Sequence, residues 1–350
     1  MKAHRRALLG CALAVFGGLG SAAVAGAAGA APLPAGGSAS LPRAADEPLI
    51  FGLITPRDAE KVLAAWNPFL QRLARNVGRE IRAWPAKNAG ELVDAFRQGK
   101  VDLAWVGNAP ALEIVESGAG EVFAQMVTGD GRTGYQSILV THKDSPLQTL
   151  EQAQQAERKL VFGDGETKST SGHLVPLYYA FVKRGINDPK ALYREVRHSS
   201  HRANLTMAAK REVDFATANN VELDLFTAEQ PMLARELRVI WRSPDIPQSP
   251  LVWRLALPTG LRQRIQEAVV GFGQDAAERA ILRGVNDLSG FRKSRNRQLI
   301  TVADIEMFAA WQHVNNNGAL TPAEKLERIA HISKRASRLE LRLKQEPSLR

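Results

Sequence analysis

From residue 49 onward the chain alternates short apolar runs with stretches of helical spacing. Leu49-Ile50-Phe51-Gly52-Leu53-Ile54 is an apolar run that ends at Thr55-Pro56, the pattern of a buried strand followed by a helix start. Val62, Trp66, Phe69, Leu70 and Leu73 then recur at helical spacing and predict a helix over 59–76. Strands are predicted over 80–84, 101–106, 122–127 and 135–141. A helix is predicted over 89–98, with Asn88 at its N-cap, and another opens at Gly107-Asn108. The same grammar repeats further on. Strands are predicted over 159–162, 193–196, 213–218 and 237–241, a polar loop over 163–172, and helices over 174–184 and 204–210. Such βαβ alternation predicts an α/β protein with mostly parallel sheets covered by helices.

Both ends differ from this body. Lys2, Arg5 and Arg6 precede an apolar stretch from Ala7 to Leu19, and small residues follow through Ala31. That order is a secretory signal peptide, expected over 1–31. Residues 32–47 are rich in Pro, Gly, Ala and Ser and read as a linker. Near the other end Pro322 opens a long helix with Leu326, Ile329, Ile332, Ala336, Leu339 and Leu343 on one face. Steps of three and four make a narrow coiled-coil stripe. It fits packing on the protein's own body or a homodimer contact equally.

Length and composition narrow the class. The chain has 350 residues, 45% hydrophobic and 23% charged, enough for about two globular domains. The only cysteine, Cys11, lies in the export segment, ahead of most of its apolar stretch, where it is a small apolar residue rather than a lipid-attachment site. The exported chain then has no disulfide, thiolate nucleophile or Cys-ligated zinc. Net charge is +10, and Lys2, Arg5 and Arg6 carry three of those charges with no acid beside them, leaving +7. The surplus is spread along the chain. It reads as a basic surface that speeds capture of a small anion, not as a nucleic-acid interface.

One segment carries candidate chemistry. Gly163-Asp164-Gly165-Glu166-Thr167-Lys168-Ser169-Thr170-Ser171-Gly172-His173 follows a strand and precedes a helix, with three hydroxyls in a row at the helix start. First-turn amides lack internal partners and the helix dipole is positive there, so an oxyanion would receive amides and hydroxyls together. A plain N-cap with spare hydroxyls is the competing reading. No phosphate-binding Gly-x-x-x-x-Gly-Lys-Ser/Thr loop, dinucleotide Gly-x-Gly-x-x-Gly after a strand, or Gly-x-Ser-x-Gly elbow is present. His198 and His201 stand three apart in a polar turn, with no carboxylate cluster beside them in sequence. No cofactor, metal or catalytic residue is implied.

Ser-Thr-Ser-Gly-x-Leu-Val-Pro-x-Tyr-Tyr, Ser169 to Tyr179, resembles the hallmark of phosphonate ABC-transporter substrate-binding proteins. Further matching stretches are 66–70, 101–108, 122–125, 130–135, 213–217 and 249–254, so the resemblance runs from about Leu49 to about Leu343. It implies a two-lobed type II periplasmic-binding fold with a hinge and a C-terminal helical extension. The expected boundaries are 48–140 with 246–300 for the first lobe, 141–245 for the second, and 301–350 for the extension. The crossovers are expected near Leu139–His142 and Ser243–Pro247.

Carried over by position, Ser169, Thr170 and Ser171 would bind phosphonate oxygens, Tyr135 would add a phenol O–H, and His201 would donate to another oxygen. Asn88 stands where the family usually has an aromatic, and His173 where it is usually apolar. Val221 and Ser249 occupy the positions of two carboxylates that hold an ammonium group in aminoalkylphosphonate binders. An ammonium closed in without a carboxylate is desolvated at a cost of several kcal/mol. The expected ligand is therefore a phosphorus oxyanion without an amine, such as phosphite, methylphosphonate or phosphate, captured in the periplasm for an ABC permease. Two other classes remain open: a binding protein that reports to a membrane sensor kinase, and a periplasmic phosphoester hydrolase.

Overall fold

The computed structural model describes residues 47–345, apart from 56–58 and 157–158. The export segment expected over 1–31 and the linker expected over 32–47 lie outside the described residues, except Glu47. Among the described residues no helix is long and apolar enough to cross a membrane.

Among the described residues thirteen strands form two main sheets and one short ribbon. In the first lobe, β1 (Leu49–Ile54), β2 (Ile81–Ala86), β3 (Leu103–Trp105) and β4 (Gly120–Thr128) are joined by helices Ala59–Val77, Ala89–Arg97 and Asn108–Ser117. The ribbon strand β5 (Gly134–Tyr135) then leads into the second lobe. That lobe holds β6 (Ser137–His142), β7 (Val161–Gly165), β8 (Glu195–Ser199), β9 (Phe215–Asn219) and β10 (Leu237–Arg242). The chain returns through β11 (Ile246–Pro247) to β12 (Pro250–Arg254) and β13 (Leu288–Lys293). The sheet orders are β13-β4-β12-β3-β1-β2 and β10-β6-β9-β7-β8.

The sheets are mixed, which corrects the expectation of mostly parallel pairing. β1 pairs in parallel with β2 and β3, and β7 with β8 and β9. The first strand after each crossing inserts inside its sheet. β12 enters between β3 and β4, antiparallel to both, and β6 enters between β9 and β10 in the same way. A strand that arrives through the connection rather than by a helical crossover runs in the opposite sense. Because β6 pairs along its length with β9 and β10, the first crossing falls at β5, before Ser137, and not at 139–142. The second is β11, and the two crossings pair with each other, Tyr135 opposite Ile246.

The helix over 59–77 buries Trp66, Phe69, Leu70 and Leu73 as its spacing predicts, together with Val77, while Val62 is only partly buried. Trp66 and Phe69 pack on Phe51 of β1, and Phe69 continues to Phe272 and Phe291. On the other face the Ala89–Arg97 helix approaches β1 so closely that a Cβ on Gly52 would lie 2.3 Å from Leu92 Cδ1. In the second lobe β6 alternates faces, Ile138 and Val140 on one side and Leu139 on the other.

The helical segment after β7 begins earlier than expected, at Thr170, and continues to Arg184. It opens with π-type turns over Thr170–Leu174, repeats them over Leu177–Phe181, and ends in a 3-10 turn, Val182–Arg184. Pro176 between them has no N–H and crowds the carbonyl one turn back, so wide turns accommodate it.

The C-terminal helices Ile300–Asn315 and Pro322–Lys344 pack on the first lobe. Leu339 and Leu343 are buried in its core, whereas Leu326 at the start of the stripe is 70% exposed. Arg335 reaches Glu116 and Glu306, each at 2.6 Å, and ties the extension to the Asn108–Ser117 helix. Self-packing therefore accounts for the last turns of the stripe and not for its first.

A buried ion pair joins the central strands of the first sheet. Arg254 of β12 is 3% exposed and lies 2.8 Å from the fully buried Asp102, whose Oδ2 also accepts from the Ile50 amide at 2.9 Å. Asp102→Asn should destabilise the protein by about 3–5 kcal/mol in urea unfolding, because it leaves a buried guanidinium without its counter-charge. A loss below about 1 kcal/mol would show that this pair is not what joins β1, β3 and β12.

Candidate functional site

The Ser169-Thr170-Ser171-Gly172 start lies where the two lobes meet. Ser169 caps the segment, its Oγ accepting from the Gly172 amide at 3.0 Å. β7 and this first turn are nearly in backbone contact, since a Cβ on Gly165 would meet Gly172 atoms at 2.5 Å. Glycine at both positions permits that approach. Asn204 holds the strand end from behind, its amide donating to the carbonyls of Gly163, Asp164 and Thr217.

Thr170 and Ser171 are buried, 3% and 2% exposed. Thr170 Oγ1 accepts from the Ala109 amide at 2.8 Å, so a hydroxyl of the second lobe caps the first turn of a helix in the first lobe. Ser171 Oγ shares a 3.2 Å hydrogen bond with His201 Nε2 and receives Asn219 Nδ2 at 3.4 Å. Its carbonyl accepts from Ser137 Oγ at 2.6 Å. The Tyr135 phenol, on the ribbon, bonds with the side chains of Ser171 and Asn108.

Burial is the largest influence on the two titratable groups. It pushes the Tyr135 phenol up to about 12, against its bonds to Ser171 and Asn108, so it remains an O–H donor. It pushes the His201 imidazole down to about 4, so that ring is neutral near pH 7. His201 Nδ1 is buried and has no hydrogen-bond partner among the described residues. An anion beside His201 would reverse that shift, because a negative charge favours the imidazolium.

A cleft of about 610 Å³ opens between the lobes. Lys87, Asn88, Ala89 and Gly90 line it from the first lobe, and Glu166, Thr167, Lys168, His198, Ser199 and Ser200 from the second. Asn88 caps the Ala89–Arg97 helix, its Oδ1 accepting from Glu91 N at 2.9 Å, which leaves its NH2 as the donor group. Lys168 reaches across to Glu113 at 2.7 Å. The Glu166 carboxyl is half-buried, is pushed up by burial, and has no hydrogen bond or ion pair among the described residues.

The structure thus brings Ser169, Thr170, Ser171, Tyr135 and His201 together and places Asn88 on the cleft wall. Of the residues expected at the site, Asn88 lines this cleft; Ser169, Thr170, Ser171, Tyr135, His201, Val221 and Ser249 are not among its lining residues. Val221 packs against the first-lobe core, and the Ser249 amide donates to Gln248 Oε1 at 3.3 Å. Sequence reasoning missed Asn108, Ser137 and Asn219. Asn219 carried a signal: it precedes a helix with Glu222 at the third position, and it caps that helix at 2.8 Å. It also missed that a carboxylate does stand beside His198, because Asp164 on the next strand is its register partner.

The His201 shift has a measurable sign. The unfolded imidazole takes its proton near pH 6.5 and the folded one near 4, so stability is lost as pH falls through that window. The wild type should lose about 2 kcal/mol more than His201→Gln between pH 7 and pH 4.5 in urea unfolding, allowing for the ring's remaining exposure. Equal losses in both proteins would contradict the burial of a neutral imidazole.

The sequence profile of phosphonate ABC-transporter periplasmic substrate-binding proteins matches residues 51–299. The phosphonates-binding periplasmic protein of Escherichia coli is 34% identical over 287 residues, covering 82% of this chain and 84% of that one. The crystal structure of a binding protein component of an ABC phosphonate transporter from Pseudomonas aeruginosa is also 34% identical. It superposes with a TM-score of 0.78, over 85% of this chain and 98% of that one. PhnD1 of Prochlorococcus marinus, solved with methylphosphonate, shares the fold at 20% identity and a TM-score of 0.65, over 73% of this chain and 96% of that one. The two-lobed α/β architecture is the type II fold of periplasmic binding proteins. The chain belongs to the periplasmic substrate-binding proteins of phosphonate ABC transporters.

Proposed function

We propose that this protein captures a small phosphorus oxyanion without an amine, such as methylphosphonate, phosphite or phosphate, in the cleft at Ser169–Gly172. It delivers that ligand to an ABC permease after export through its N-terminal segment. The observation that carries this reading is the convergence of Thr170, Ser171, Tyr135 and His201 on one helix start. Hydroxyls, a protonated phenol and an imidazole supply donors, and the opposed Asn108–Ser117 helix supplies a second positive end. The relative solved with methylphosphonate supports a phosphonyl group as the common element. No bond is made or broken in this mechanism. Lobe closure about the β5–β11 ribbon encloses the anion and dries its hydrogen bonds.

Val221 and Ser249 offer no carboxylate to an ammonium, which motivates the restriction to amine-free ligands. One observation favours a second reading. Among the described residues the Glu166 carboxylate on the cleft wall has no partner, and an aminoalkylphosphonate would provide one.

Calorimetric titration separates the two. The first reading expects methylphosphonate to bind more tightly than 2-aminoethylphosphonate, with Glu166→Gln leaving that order unchanged. Tighter 2-aminoethylphosphonate binding that is lost in Glu166→Gln would establish the second. In either case Ser171→Ala should weaken the favoured ligand about 10- to 100-fold, the worth of one hydrogen bond to a charged group. Unchanged affinity in Ser171→Ala would remove the site from this helix start.

A further inference from the structure

Beside the oxyanion anchor, three residues with metal-ligating side chains converge. Asp164 and His198 are register partners on the parallel strands β7 and β8, so they project from the same face. His173 comes from the first turns of the helical segment. Asp164 Oδ2 lies 2.6 Å from His173 Nδ1 and 3.5 Å from His198 Nδ1, and one ligating atom of each residue lies within 4.8 Å of the other two.

The Asp164 side chain is nine-tenths buried. Among the described residues no lysine or arginine pairs with it. Its neighbours are the Gly165 amide, at 2.9 Å from Oδ1, and the two imidazoles. A buried carboxylate is normally paired or bound to a metal. A second group of the same type, His142, Asp144 and Glu236, lacks this feature: Lys143 already lies 2.9 Å from Glu236, and Arg211 3.0 Å from Asp144.

We propose that Asp164, His173 and His198 bind one divalent transition-metal ion, of the zinc type, at the wall of the inter-lobe cleft. Two imidazoles and one carboxylate suit zinc, cobalt or nickel and not calcium or magnesium, which take oxygen ligands. Bonds of about 2.0 Å in tetrahedral geometry set ligand atoms about 3.3 Å apart. The 3.5 Å pair already fits that spacing. The 2.6 Å pair must open by several tenths of an ångström, which side-chain rotation supplies. His198 Nδ1 also holds Gly165 O at 2.9 Å, and ligation through that atom exchanges this bond for the metal. Because His198 lines the cleft, the ion has a path from solvent and an open coordination position.

The test uses full-length, exported protein without an affinity tag, dialysed against EDTA and then freed of it. Titration with zinc chloride should show one ion per chain. His173→Asn and His198→Asn should each weaken it at least about tenfold, while His142→Asn leaves it unchanged. Circular dichroism in EDTA checks that each variant is folded. Cobalt(II) added to the wild type should give the strong visible absorption of a four-coordinate site, a readout that needs no variant. Absence of saturable zinc heat, absence of that absorption, or unchanged zinc affinity in folded His173→Asn and His198→Asn overturns the proposal.

Discussion

Two helix starts face each other in this protein, and the rest of the architecture holds them there. The first turn of a helix presents amides without partners and a partial positive charge. One such turn begins at Asn108 in the first lobe, where the Ala109 amide donates to Thr170 Oγ1, and the other at Thr170 in the second, where the Gly172 amide donates to Ser169 Oγ. The single hydrogen bond from the Ala109 amide to Thr170 Oγ1 crosses between them. Two like ends brought together are stabilised by an anion, so geometry and ligand charge are one problem. The neutral His201 ring and the protonated Tyr135 phenol add donors without adding a fixed charge.

The topology explains how those ends are positioned. β6 and β12 each enter the opposite lobe as the fourth strand of the same ordering, 2-1-3 followed by the intruding strand. Among the described residues the only paired strands outside the two main sheets are β5 and β11, and Tyr135 sits on that ribbon. The ribbon therefore carries one of the residues proposed to bind the anion. The close approach of Gly165 to Gly172 sets the anchor directly on the end of β7, and Asn204 ties that strand end, through the Gly163 and Asp164 carbonyls, to the Thr217 carbonyl of β9.

Much of this was legible in the sequence. Apolar runs and helical spacing placed the elements, and the Ser-Thr-Ser-Gly segment marked the helix start. Asn88 was identified as a cap, and it is one. What was hidden has local physical reasons. The chain from 135 to 141 reads as one apolar strand, and nothing local shows that it breaks between Tyr135 and Ser137 to change sheets. Parallel and antiparallel pairing are not distinguished by a buried run of four to six residues. Asp164 lies more than thirty positions from His198, so only strand register brings them together. The exposed first turns and buried last turns of the C-terminal helix share one stripe in sequence and differ only in what lies beneath them.

Hydrogen–deuterium exchange with and without saturating methylphosphonate reads the central claim directly, because it reports on both helix starts at once. The account expects amides 171–174 and those of Ala109 and Ala111 to gain protection together, with the β5–β11 ribbon also slowed. Protection at one helix start alone, or none at either under conditions where the ligand binds, would contradict an anion held between two opposed helix ends.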